Sequence, residues 1–167
     1  MIDHRPSYPR PFNTPLECGL RILFILDAQR DRPADLQRLV SYDYLLVHSG
    51  DVPGGPSSLH PAVPFRGSEL LVKRDLVNAG LNQMHSRELL KKSFDASGIL
   101  YYPTQLTSAF LALLHTAYAQ ALRERAEWVV RNFGDFADSD LNAFMSQNIG
   151  RWGGEFDRLT ALRELEL

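Results

Sequence analysis

One cysteine, Cys18, stands among 167 residues, which excludes a disulfide within the chain and suits a reducing compartment, so a cytoplasmic location is expected. No apolar run approaches the roughly 20 residues that cross a bilayer, so no membrane association is expected. The opening MIDHRPSYPRPF is rich in proline and has no apolar stretch before a small-residue cleavage site, so it does not read as a secretion signal. Positive charge is also in short supply: 18 Lys and Arg face 20 Asp and Glu, for a net charge of -2. That removes the general basicity of most non-specific nucleic-acid binders while leaving room for a local basic face.

The usual chemistry-bearing patterns are missing as well. His4, His48, His60, His85 and His115 are scattered with no H-x-x-x-H spacing and no cysteine pair, so no metal is expected. No G-x-x-x-x-G-K-[ST] loop occurs, and Gly54-Gly55 lacks the lysine and helix that cradle phosphate. Cys18 sits inside an apolar helical pattern, where a thiol behaves as a small hydrophobe. The run His48-Ser49-Gly50-Asp51 holds residue types of a hydrolytic site, yet four sequence neighbours seldom converge as a triad does, and a helix end followed by a turn accounts for them. The expectation is a non-enzymatic protein without cofactor. A small hydrolase stays as a third reading, for which a pocket joining Asp43 or Asp51 with His48 is the minimum requirement.

What is present is a soluble globular composition, 44% hydrophobic and 23% charged. Thr14, Pro15 and Glu17 form a capping box with proline at the first helical position, starting a helix that should run to about Asp31. Its apolar residues extend well around the cylinder, so more than one side must be buried. Two readings follow: a central core helix, or a helix that also meets another chain through Ile22, Ile25 and Leu26. A second helix is expected from about Ala34 to His48, with Leu36, Leu39, Val40 and Val47 on one face and Asp43 in its middle. A carboxylate among aliphatic groups costs several kcal/mol unless it is paired. Asp43 is therefore read as a structural polar anchor, bonded within its own chain to Arg66, to the cap of the next helix or to a tyrosine hydroxyl. The Pro- and Gly-dense stretch from Gly50 to Pro64 is a loop.

From Gly67 to Thr104 the order is that of a winged helix-turn-helix. A recognition helix over GSELLVKRDLVNAGL is closed by Gly80 as a C-cap. A hairpin wing follows, alternating from Gln83 to Lys92, turning at Asp95-Ala96-Ser97-Gly98 and returning through Ile99-Leu100-Tyr101-Tyr102. Arg66, Lys73 and Arg74 on the helix and Arg87, Lys91 and Lys92 on the wing are candidate phosphate contacts, with Asn78 or Gln83 facing base edges. Glu69, Asp75, Glu88 and Asp95 intersperse acid through the same surface, as on an ordinary solvated face.

Beyond the wing, helical stripes occupy Gln105 to His115 and Tyr118 to Phe133, as two helices or one bent helix. Another spans Asp135 to Ile149 and a last one Glu155 to Leu167, the final two separated by a Gly150-Arg151-Trp152-Gly153-Gly154 linker. Trp152 and Phe156 are a second candidate partner interface, set against the alternative that Trp152 plugs the domain's own core. The fold expected is mainly α with a small β-hairpin: a flexible arm over residues 1–11, a winged helix-turn-helix core over 12–104, and a C-terminal helical extension over 105–167 packed on that core.

Several strings, taken together, are distinctive: FNTPLECGLRILFIL (Phe12 to Leu26), DLQRLVSYDYLLVHSGD (Asp35 to Asp51), SLHPAVPFRGSELLVKRDLVNAGL (Ser58 to Leu81), SGILYYPT (Ser97 to Thr104), RERAEWVVRNFGD (Arg123 to Asp135) and GRWGGEF (Gly150 to Phe156). Over Phe12 to Phe156 the chain resembles the middle component, type 2, of bacterial ABC-three-component systems. The resemblance implies a small subunit acting beside an ABC or SMC-like ATPase and an effector in conflict with phages and plasmids, an arrangement similar to Lamassu-type defence. It implies an adaptor that binds the ATPase and couples it to the effector, and it transfers no catalytic residue. A homodimer, and DNA contact inside the complex, are further candidate associations. A winged-helix DNA-binding regulator is the alternative.

Overall fold

The computed structural model describes residues 13–61 and 66–165, with backbone alone at 66–69, 71 and 152–165. The expected arm over residues 1–11, the side chain of Arg66, and the Trp152 and Phe156 interface lie outside the described residues. Among those described, six α-helices and one antiparallel hairpin follow in the order α1 (Pro15–Gln29), α2 (Leu36–Val47), a 3-10 turn (Ser49–Asp51), α3 (Arg66–Ser86), β1 (Leu90–Asp95), β2 (Gly98–Pro103), α4 (Gln105–Leu111), α5 (Ala117–Phe133) and α6 (Asp138–Leu165). The fold is mainly helical with a two-stranded hairpin, as the residue patterns imply.

The helix starts follow local chemistry. Thr14 and Glu17 exchange the expected capping-box bonds, the Thr14 N–H donating to Glu17 Oε2 at 2.9 Å and Glu17 N–H to Thr14 Oγ1 at 3.3 Å. Asp35 caps α2 through Arg38 N–H, at 2.8 Å; Thr104 caps α4 and Thr116 caps α5.

α1 lies at the centre of the packing. α3, α5, α2, α4 and β2 all meet it, and Cys18, Ile22, Leu23, Phe24, Ile25 and Leu26 are buried around its whole circumference. Each large aliphatic side chain so enclosed contributes about 1.5–3 kcal/mol of burial. Ile22, Ile25 and Leu26 are thus not a partner surface: the chain's own helices cover them, which corrects that reading and explains why the helix is apolar on several sides. α6 packs on α2 and α3, and Phe133, Phe136 and Phe144 join α5 to α6 with ring centroids 5.2 to 6.3 Å apart.

Three boundaries differ from the sequence expectation. Gly80 does not end α3, which continues to Ser86 because Val77, Leu81 and Met84 extend a buried helical stripe beyond the glycine. The first strand accordingly starts at Leu90 instead of Gln83, after Glu88 turns the chain at a φ of 60°. The supposed linker Gly150 to Gly154 is helical, and α6 runs through it from Asp138 to Leu165; glycine costs about 1 kcal/mol inside a helix and does not forbid one.

Candidate functional site: a buried ionic centre and a divided basic surface

Asp43 is the ionic hub. On α2 and fully buried, its carboxylate accepts from Arg21 Nε at 2.6 Å and Arg21 Nη2 at 2.9 Å on α1, a bidentate fork, and from Lys73 Nζ at 2.8 Å on α3. Three helices therefore meet at one carboxylate. The anchor is bonded within its own chain, to Arg21 and Lys73; among the described residues neither a helix cap nor a tyrosine reaches it, and the side chain of Arg66 lies outside them. Arg21 is not among the sequence candidates because it lies within an apolar run; its signal there is a lone guanidinium matched with a lone carboxylate in the next helix.

Burial alone would raise the carboxyl pKa of Asp43, but Arg21 and Lys73 outweigh it and hold the group well below the usual carboxylate range. Cys18 lies against the same guanidinium, with Arg21 Nη2 donating to Sγ at 3.2 Å. Desolvation, with Asp43 next in effect, pushes the thiol up to about 11, so it is protonated and unreactive at neutral pH. The charge of Arg21 also acts on Tyr118 of α5, and the Tyr118 hydroxyl meets His60 Nε2 at 2.8 Å. The ionic centre is so linked electrostatically to the loop that carries His60. A cavity of about 200 Å³ opens beside it between α1 and α5, lined by Leu20, Phe24, Leu114, Leu122, Arg21 and Tyr118 among others.

His60 gives the centre a pH dependence. Burial first, then the charges of Arg21 and Lys73, push its pKa down from 6.5 to about 4, with Asp43 opposing and His48 adding to the depression. The unfolded chain binds the extra proton between those two values, so the stability that neutral His60 supplies is complete above about pH 6.5 and is lost as pH falls toward 4. The loss is on the order of 2 kcal/mol once solvent screening is allowed for. Asp43, with a depressed folded pKa, adds a further loss only below the ordinary carboxylate range. Urea midpoints measured from neutral pH to pH 4 are expected to fall in wild type and to fall markedly less in His60→Gln. Equal slopes in the two proteins would remove His60 as the cause.

Among the described residues, the basic groups read as nucleic-acid contacts do not form one face. Lys73 is 1% exposed and bound to Asp43; its charge is spent inside the protein, which corrects its assignment as a contact. Arg74 donates to Gln37 Oε1 at 2.8 Å, Arg87 to the Gln83 carbonyl at 2.9 Å, and Lys92 to Asn82 Oδ1 at 2.8 Å. Lys91 lies over the Tyr102 ring at 5.5 Å. Successive strand residues face opposite sides, so Lys91 and Lys92 are divided between the two faces of the hairpin. Asn78 is exposed on α3, and Asp75, Glu88 and Asp95 are exposed around these cations.

The residues of the hydrolytic reading also have partners within the fold, and His48 and Asp51 both meet Tyr44. Asp43 belongs to the ionic centre. Asp51 Oδ2 accepts the Tyr44 hydroxyl at 2.7 Å, and the buried His48 ring packs at 4.9 Å from that of Tyr44. Among the described residues no group of three or more His, Cys, Asp or Glu side chains is placed to hold a metal ion, and no helix is long and apolar enough to cross a membrane.

These features define a mainly helical protein whose most concentrated polar chemistry is turned inward, onto its own helix packing. The family profile described as ABC-three component (ABC-3C) system Middle Component 2 matches residues 11–155, and the chain belongs to that family. A component of a multi-component system implies partner subunits. No curated protein and no solved structure matches the chain.

Proposed function

We propose that this chain is a non-enzymatic adaptor: it binds an ABC or SMC-like ATPase subunit and couples it to an effector in a bacterial anti-phage or anti-plasmid complex akin to Lamassu-type systems. The membership of residues 11–155 in the middle-component family carries the reading. The engagement of Asp43 and Asp51 in internal bonds supports it, since both carboxylates of the hydrolytic reading already serve contacts within the fold. The deciding experiment is co-expression with the products of the neighbouring genes, purification through a tag on this chain, and mass determination of what elutes. A stoichiometric assembly with an ATPase is the expected result; elution of this chain alone, with those products soluble in the same lysate, would overturn the proposal.

The order α2, α3, β1, β2, a helix pair followed by a hairpin, favours a winged-helix module as a second reading. In that reading α3 presents Arg74 and Asn78, and Arg87, Lys91 and Lys92 flank them. Its signature is DNA affinity of the isolated chain that falls steeply with salt. The internal use of Lys73 and the acid interspersed among the remaining cations favour the adaptor instead.

A further inference from the structure

The outer edge of β1 carries an inference independent of the adaptor reading. In the hairpin Lys92 is opposite Tyr101 and Ser93 opposite Leu100. Tyr101 spends its backbone N–H and carbonyl on the other side of β2, exchanging bonds with Ala34 at 2.9 and 3.2 Å. Lys92 and Tyr101 are therefore a non-hydrogen-bonded pair, and the backbone groups of Lys92 and Phe94 point outward from β1. Among the described residues no backbone group from outside the hairpin bonds them. Phe94 is 74% exposed and its cross-strand neighbour Ile99 39%. An open edge with an aromatic at its tip is a template for strand addition, and two strands alone make a weak sheet.

We infer that the occupant is a second copy of β1, paired antiparallel about a two-fold axis through Ser93 to make a four-stranded sheet. Charge and register select this arrangement together. Centring on Ser93 sets Lys92 opposite Phe94 of the second copy, so that the outward-facing backbone groups meet each other. It also sets Lys91 opposite Asp95 of the second copy, giving two opposite-charge pairs per dimer, and lays each Lys92 stem across an exposed Phe94. Sliding two residues one way puts Lys92 against Lys92, and two residues the other way takes Lys91 away from Asp95. A slip of one residue mismatches the outward backbone groups. Lysines that guard an edge against promiscuous pairing thus admit one register.

The test uses the full chain. At a non-hydrogen-bonded antiparallel pair the Cα atoms are about 4.5 Å apart, within disulfide range, so Ser93→Cys is expected to form a covalent dimer under mild oxidation. Lys91→Cys, whose two copies lie about 13 Å apart in this register, is expected not to. The buried native thiol Cys18 adds no background. In sedimentation, wild type is expected as a concentration-dependent dimer, Lys91→Glu to raise its dissociation constant about tenfold, and the charge swap Lys91→Glu with Asp95→Lys to restore it. A wild-type protein that stays monomeric, with Ser93→Cys cross-linking no faster than Lys91→Cys, overturns the inference. So does a dimer that Lys91→Glu leaves unchanged, which would place the contact elsewhere. Neither outcome bears on whether the chain binds an ATPase.

Discussion

Asp43→Ala is expected to cost the protein about 3–5 kcal/mol of folding stability, enough to unfold much of a domain whose total is typically 5–15 kcal/mol. The size follows from what the substitution leaves behind. Arg21 and Lys73 are 1% exposed, so removing their common acceptor strands two cations in a medium that solvates neither. Asp43→Asn keeps the shape and two lone-pair sites but loses the charge, and its cost should be nearly as large. Replacing all three groups at once, Arg21→Met with Asp43→Leu and Lys73→Met, is expected to recover most of the loss, since a buried ion triad exchanged for apolar groups of similar volume is often neutral or stabilising. Urea unfolding followed by circular dichroism at neutral pH measures all three variants. A loss under about 1 kcal/mol for Asp43→Ala would mean that water reaches the site, and would contradict the enclosure described above.

The second large effect is expected where α1 crosses α3. A Cβ placed on Gly80 would stand 2.4 Å from the carbonyl oxygen of Pro15 and 2.6 Å from the Gly19 nitrogen. One on Gly19 would meet the Gly80 carbonyl at 2.9 Å. Both obstacles to Gly80 are backbone, which cannot rotate aside. Gly80→Ala should therefore drive the two helices apart and cost about 3 kcal/mol or more, despite the gain of up to about 1 kcal/mol that alanine brings to a helix interior. Gly19→Ala should cost less, because the other atoms it meets are the flexible Met84 side chain, at 2.9 to 3.0 Å. Thermal unfolding of the two variants tests the order as well as the size. A Gly80→Ala protein as stable as wild type would mean that the crossing is looser than these distances allow.

The two effects share a location. Gly19 and Gly80 let α1 approach α3 closely, and Arg21 and Lys73, on the same two helices, then reach one carboxylate on α2. Backbone proximity and charge pairing therefore fix the relative position of the three helices that carry the rest of the fold.

Much of this was legible in the residues. The capping box at Thr14 and Glu17, the buried α1, the helices that follow Asp35, Thr104 and Thr116, and the turn before Gly98 all rest on interactions within a few residues, which is why local patterns revealed them. That Asp43 needed a partner also followed from burial energetics alone. Which partner it found did not follow, because Arg21 and Lys73 lie 22 and 30 residues away and only helix crossing brings them to it. The same limit explains the misreading of Lys73 as a surface cation. In sequence it resembles Arg74, and the one-residue step around the helix that turns it inward acquires meaning only once α2 is in place.

Gly80 shows the same division. As a residue type it is compatible with ending a helix or with letting another helix approach, and only the position of Pro15 and Gly19 in space selects the second role. By itself the sequence determined the helix starts, the apolar stripes, the hairpin turn, the family and the need to neutralise a buried carboxylate, because each depends on short-range pattern or on the chemistry of a single side chain. The tertiary structure alone decided which charges pair, which glycine is a contact and which apolar face is covered, because these depend on distances between segments that lie far apart along the chain.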